Sequence, residues 1–353
     1  MRRHQNRGTQ PFHQHPVFDN WQVVAEGWYV ALASKSLRKK PVSVELCGQR
    51  ITLWRGTDGS AHAVDAFCPH MGADLGIGRV DGDHLRCFFH HWAFDADGAC
   101  VDVPAGGPPP KAACVQGYAT AEAYGFVWVW PGREAAGPLP EFPALEGQAT
   151  RAVAAPAYER SCHHHVCMIN GIDPQHLQTV HGLSIEMALD VRERSERVRD
   201  YGLVGEMPVR RLKERLARLV FGPTYGYSMR YADGTLGLLT LMERTRLFGI
   251  GPALPPVHML FAYVPLDEGR IRVQPVYVTR RRKGPLGWLL GSLLLWTMRF
   301  GFSMLRDEDG RVYEHIRFQT RALLPMDRPI ADFVAWVNRL RPSVWSRSTT
   351  DGP

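Results

Sequence analysis

Apolar and polar residues alternate in short runs over the first third of the chain. VSVELCG, ITLWRGTDGS, AHAVDAF, DGDHLRC, FDADGAC and YGFVWVW each have the rhythm of a half-buried strand, and Gly, Asp or Ser clusters cut one run from the next. This pattern predicts an all-β domain of hairpins over residues 21–131. Residues 1–20 have no such period; His4, His13 and His15 stand there among Gln, Arg and Pro, which reads as a polar tail rather than a metal site. Pro, Gly and Ala break the rhythm over 132–157, the expected linker. From 158 to 345 helical periods (PQHLQTVHG, PIADFVAWVNRL) mix with strand-like runs (HMLFAYVPL, IRVQPVYVT), so the second domain is predicted to be α+β, followed by a short tail over 346–353.

One apolar run has a different character. PLGWLLGSLLLWTM, from Pro285 to Met298, is shorter than the roughly 20 residues of a membrane span. It follows Arg280-Arg281-Arg282-Lys283 and is closed by Arg299. The preferred reading is a buried helix, with a peripheral membrane contact through 280–299 as the alternative.

Composition narrows the classes. The 353 residues, 45% hydrophobic and 10% aromatic, suffice for two buried cores. A net charge of +7 arises from bases scattered among acids, without the aromatic-interleaved stripe of a nucleic-acid surface, so no nucleic acid is expected as a partner. Seven unevenly spread cysteines, with no charged and apolar leader at the start, predict a reducing cytoplasm.

The candidate chemistry begins with CPHMGADL (68–75) and CFFHHW (87–92). Cys68-Pro-His70 and Cys87-Phe-Phe-His90 each offer one thiolate and one imidazole, 16 residues separate His70 from Cys87, and a DGD turn folds one arm back on the other. A disulfide would leave the histidines idle, and a zinc finger would place both cysteines before both histidines. The pair CPHxGA and CxxHxW resembles the signature of Rieske iron-sulfur proteins. The resemblance implies that Cys68, His70, Cys87 and His90 hold a [2Fe-2S] cluster, whose two histidines raise its potential to about −150 to +300 mV. Met71 and His91 stand where that family usually has Arg and Gly. His91 is therefore a competing ligand, although the gap after Cys87 favours His90.

The second candidate site is NGIDPQHLQTVH (170–181). Asp173 before Pro174 suits a helix N-cap, and the histidines suit an ordinary helix. The run also resembles the mononuclear iron motif of Rieske non-haem iron oxygenases. That likeness implies His176 and His181 as ligands of one Fe(2+), Asp173 as a bridge for electrons, and Asn170 as the mark of the monooxygenase-like branch. Residues five apart on an α-helix diverge by about 140°, so the helix is expected to widen or end between the two histidines. The third ligand of such a triad is a carboxylate. In RDEDGRVYEHIRF, Asp309 has the aliphatic and aromatic sequel that the family shows, and Asp307 is the reserve. CHHHVC (162–167) is a rival by composition, read here as a strand whose side chains alternate, with a structural or cavity-lining role for Cys162, His164 and Cys167.

The resemblance further implies a Rieske [2Fe-2S] domain followed by a helix-grip (START-like) α+β catalytic domain, in a head-to-tail homotrimer where Asp173 holds His176 and meets His90 of the next subunit. Dioxygen would be the co-substrate. The chain has no G-x-G-x-x-G after a strand, so NAD(P)H is expected to act only through a separate reductase or ferredoxin. The amino-terminal half (GWYVALAS, LWRGTDG, FHHW) is similar to aminopyrrolnitrin oxygenases, and DRPIADFVAW to sterol 7-desaturases; both point to a bulky apolar small molecule. Sparse charge in TLGLLTLMERT and PPVHMLFAY agrees with walls for such a substrate. A sterol-directed enzyme and a non-catalytic Rieske electron carrier are the alternatives.

Overall fold

The computed structural model describes residues 16–182, 187–206, 222–242 and 255–347, with positions 209, 215, 218, 219, 246, 250 and 251 between them. Residues 1–15 with their three histidines, 348–353 of the expected tail and the last three residues of TLGLLTLMERT lie outside the described residues. The chain is already packed at Val17, which is buried, and Phe18 stacks on His165 at 5.6 Å. Structure thus begins before Trp21, because these two apolar residues, set among polar neighbours, have a core to enter. Ala25 then bridges Pro342, so the entry strand belongs with the carboxy-terminal domain.

The hairpins expected over 21–131 form three small antiparallel sheets. One joins Tyr29–Ala33, Phe126–Val129 and Thr120–Ala123. The next orders Val42–Leu46, Gln49–Arg55, Ala61–Asp65 and Gly117–Tyr118; its first turn places Cys47 and Gly48 at φ 52° and 78°, as a two-residue hairpin requires. The last joins Arg79–Asp81, His84–Arg86, Ala93–Phe94 and Cys100–Asp102 above a core of Trp54, Leu75, Leu85 and Phe94.

The second domain is an eight-stranded antiparallel sheet in the order Thr150–Ala154, Arg270–Arg280, Val257–Asp267, Leu236–Leu241, Thr224–Ala232, Val198–Glu206 and Met187–Ser195, with Tyr158–Arg160 also paired to Arg270–Arg280. Thr150–Ala154 lies inside the expected linker, 132–157. Small residues hide its period, yet its backbone completes the sheet edge. In Val257–Asp267, Met259, Phe261 and Tyr263 face the inner core, while Leu260, Ala262 and Val264 face the first domain in a core shared with Trp28 and Val129. A strand covered on both faces reads as an unbroken apolar run.

Four described helices are α1 (His164–Asn170), α2 (Pro174–Thr179), α3 (Gly284–Tyr313) and α4 (Arg328–Val337). CHHHVC is therefore not a strand. The chain leaves the sheet at Arg160, and His163 caps α1 by accepting the His165 N–H at 3.3 Å. The buried helix expected over 285–298 is also corrected: Leu286 is 81% and Trp296 63% exposed, and only Gly291, Leu295 and Met298 of that run are buried. The run is apolar on every side, but the sheet covers one stripe of it.

Candidate functional site

Two loops at one end of the third small sheet bring the first donor set together. In 68–74, the Cys68 N–H donates to Ala73 O at 2.9 Å and Gly72 N–H to Cys68 O at 2.8 Å. The Asp74 carboxylate anchors this loop by accepting from Ser43 Oγ, Arg50 Nε and Gly76 N at 2.6–2.7 Å. The other loop is closed by Cys87 N–H to Trp92 O at 2.9 Å. Both thiols are buried and both imidazoles exposed, with Nδ1 of His70 and His90 3.1 Å apart and the His70 ring stacked on Trp92 at 4.4 Å. His91 turns away at φ 59°: its Nδ1 lies 3.2 Å from Arg79 Nη1 and its carbonyl accepts from Arg86. Burial, with the adjacent Cys87 adding to it, pushes the Cys68 thiol up to about 11, so ionising this pair calls for a nearby cation. Thiols inside and imidazoles outside fit a two-iron cluster held by sulfur on one iron and nitrogen on the other.

The second donor set is built from α1, α2 and α3. Asp173 caps α2 by accepting the Gln175 N–H at 2.9 Å, with Pro174 next. The helix ends at Thr179, where Val180 and His181 N–H both reach His176 O, at 2.8 and 3.4 Å. That helix end, rather than a bulge within a longer helix, swings the His181 ring to 5.3 Å from the His176 ring. Asp309 arrives from α3 with Oδ1 3.1 Å from His181 Nε2 and 3.2 Å from Asn170 Nδ2. Ligand atoms of His176, His181 and Asp309 all lie within 4.8 Å of one another. Each Nδ1 is already engaged: that of His176 by the Asp173 carbonyl, that of His181 by Glu308 Oε2 at 2.7 Å. Asp309 first, then Glu308, raise the His181 pKa against the opposing effect of burial. The set fits a metal bound by two Nε2 atoms and one carboxylate, with the imidazoles oriented from behind.

Two expectations change here. The His176 ring is held by the Asp173 main-chain carbonyl and not by its carboxylate, which serves the α2 cap. Asp307 points to solvent and pairs with Arg306 at 2.9 Å, away from the histidines. Glu308 escaped the sequence reading; the clue was an acid beside the candidate ligand, when a metal-binding imidazole needs an acceptor for its other nitrogen. Arg160 escaped as well. It lies 4.5 Å over the Tyr158 ring and donates to Arg306 O at 2.9 Å, and Gly310 makes room for its guanidinium beside Asp309.

A cavity of about 380 Å³ opens against His176, His181 and Asp309. Leu239, Leu241, Met259 and Phe261, from the two expected wall segments, line it along with Tyr227 and Phe302. Cys167 reaches its wall, its Sγ 3.3 Å from Cys162 Sγ. His163, His164 and His165 pack behind it, rings 4.1–4.5 Å apart, against Phe18 and Trp21.

Comparison with known proteins agrees with this geometry. Residues 27–119 match the Rieske [2Fe-2S] domain. The chain is 36% identical over 182 residues to aminopyrrolnitrin oxygenase PrnD of Pseudomonas fluorescens (48% of this chain, 49% of the relative). It is 35% identical over 164 residues to a cholesterol 7-desaturase of Bombyx mori (45% and 36%). These matches span about half or less of the relatives' length. Among solved structures, dicamba monooxygenase bound to dicamba superposes with TM-score 0.63 at 21% identity over 89% of this chain and 97% of that one. Pseudomonas putida CBB5 NdmB gives 0.67 at 18%, over 92% and 93%.

Proposed function

We propose that this chain, which belongs to the Rieske non-haem iron oxygenases, is an oxygenase component that uses dioxygen and externally supplied electrons to oxidise a bulky apolar, aromatic substrate. The observation that carries the reading is the convergence of His176, His181 and Asp309 on the wall of an apolar cavity. When bound, the mononuclear iron supplies the activation of dioxygen and the Rieske cluster supplies it with electrons.

The chain's own residues set the conditions for that chemistry. The Asp173 carbonyl and Glu308 fix the two imidazoles, and Asn170 holds Asp309 Oδ1. The aromatic and aliphatic wall keeps water from competing with an apolar substrate. Exposed His70 and His90 would turn the edge of a bound cluster toward a neighbour, in keeping with a homotrimer in which Asp173 of the next subunit bridges His90 to that subunit's iron ligand His176. A separate reductase or ferredoxin would supply the electrons.

Iron analysis tests this reading. About three irons per chain are expected, two from the cluster and one from the triad. His176→Ala should hold about two, with an unchanged cluster spectrum. A wild-type content of two, unaltered in His176→Ala, would favour the non-catalytic electron carrier. Substrate-dependent oxygen uptake across arylamines and sterols separates the aromatic reading from a sterol-directed hydroxylase or desaturase, which the likeness to cholesterol 7-desaturase supports.

A further inference from the structure

The amino-terminal half of α3 leaves a stripe of large apolar side chains uncovered. Leu286, Leu289, Leu293, Trp296 and Phe300 recur at intervals of three and four and share one helical face. Each is more than half exposed. The opposite stripe, Gly291, Leu295 and Met298, is spent on the protein, so the helix has two committed faces of different kinds. At 1.5 Å per residue the exposed stripe is about 21 Å long.

Charge identifies what covers it. From Gly269 to Arg306 the chain has eight bases and no acid. Arg280, Arg281 and Lys283 are exposed where the helix begins, and Arg299 is exposed beside the stripe. A second copy of this flank would set bases against bases, and the stripe has none of the paired opposite charges that flank a coiled-coil seam. Phosphate headgroups complement it, and acyl chains complement the Leu, Trp and Phe between the bases. Trp296 stacks on Phe300 at 6.1 Å, and Trp is the kind of aromatic residue that settles at a bilayer surface. A transmembrane course is excluded by the rest of the helix, since Asp309 stands at the histidines and Tyr313 is buried in the core.

We propose that the outer flank of α3 docks in the plane of an anionic lipid bilayer. Thr297 and Gly301, exposed on this flank, also line the cavity, so the docked protein presents its cavity mouth to the lipid. An apolar substrate dissolved in the bilayer then reaches the triad without crossing water. This entry route rests on the oxygenase reading; the docking does not.

The test uses full-length holoprotein and vesicles of phosphatidylcholine alone or with phosphatidylglycerol. Co-sedimentation with the anionic vesicles is expected, falling about tenfold or more with neutral vesicles or in high salt. Tryptophan emission should shift to the blue on binding and be quenched by brominated acyl chains. Leu289→Glu/Leu293→Glu should abolish binding and Arg281→Gln/Lys283→Gln weaken it about thirtyfold, with cluster absorbance and far-ultraviolet circular dichroism unchanged in both. Failure of the wild type to bind anionic vesicles overturns the proposal. So does vesicle binding that survives Leu289→Glu/Leu293→Glu, or a change of oligomer size in that variant without vesicle binding by the wild type. None of these readings depends on turnover, so loss of the oxygenase reading and loss of docking remain distinct.

Discussion

His176 and His181 face the same point because something holds the far side of each ring. The Asp173 carbonyl holds one and Glu308 the other, leaving both Nε2 atoms beside Asp309. Asp309 is the set's single acid, and an iron(II) site stripped of its anionic ligand loses both charge and geometry. Asp309→Ala should therefore drop iron from about three to about two per chain and abolish turnover, with the Rieske spectrum intact. Asp307→Ala should retain all the iron, since its carboxylate belongs to Arg306. Glu308→Gln keeps an acceptor for the His181 ring but removes the charge, and a weakening of iron affinity of about tenfold is expected by metal titration. Equal losses in Asp307→Ala and Asp309→Ala would refute the placement. His176 and His181 were legible in the chain because they follow a short local motif, and Asp309 only because the residues after it resemble the family's sequel. Glu308 was not, since its role is set by a ring that approaches from 127 residues away.

At the scale of elements, α1 shows what periodicity cannot report. ERSCHHHVCM mixes residues of middling polarity, so neither a helical nor a strand period stands out, and only the cap at His163 decides the helix. The consequence is energetic. Burial pushes His163 and His165 well below their ordinary value and His164 to about 3; in the sheet, His258 is lowered to about 4. For a base whose folded pKa is depressed, stability is fully present above the unfolded pKa of about 6.5 and is lost as pH falls toward the folded value, because only the unfolded chain takes the proton. At pH 5.5 His164 and His258 should each cost on the order of 1 kcal/mol, and His163 and His165 should shift stability in the same direction. Thermal melts between pH 7.5 and 5.5 should show a fall in midpoint, and His258→Gln should make that fall shallower. A midpoint independent of pH over this range would contradict the burial of these imidazoles in their neutral form. The same limit explains α3, whose apolar run announces a helix but not which of its faces the sheet covers.

For the whole molecule, the order of an all-β domain before an α+β domain was readable from the change of hydrophobic period, whereas the join was not. Thr150–Ala154 is held in the sheet by a partner 126 residues later, and no local signal separates it from a linker. Assembly lies further still from local pattern. Phe67, Met71, Phe88 and Phe89 surround His70 and His90 with exposed apolar surface, which a neighbouring subunit would cover. Asp173 decides whether that neighbour matters for electron flow. In one chain its carboxylate only caps α2, so if capping were its whole role, Asp173→Asn would be nearly silent, because Asn caps about as well as Asp. If the same carboxylate also meets His90 of the next subunit, the substitution removes the charge that orients an imidazole on each side of the boundary. The variant is expected to fold with a melting midpoint near wild type, to hold its iron, and to be reduced normally by dithionite. Its reduced cluster should then fail to reoxidise in a single turnover with substrate and dioxygen, slowing by a hundredfold or more, equivalent to about 2.7 kcal/mol or more in the barrier. Stopped-flow absorbance of the cluster reads this directly, and reoxidation at the wild-type rate would leave Asp173 as a helix cap and remove the case for electron transfer across subunits.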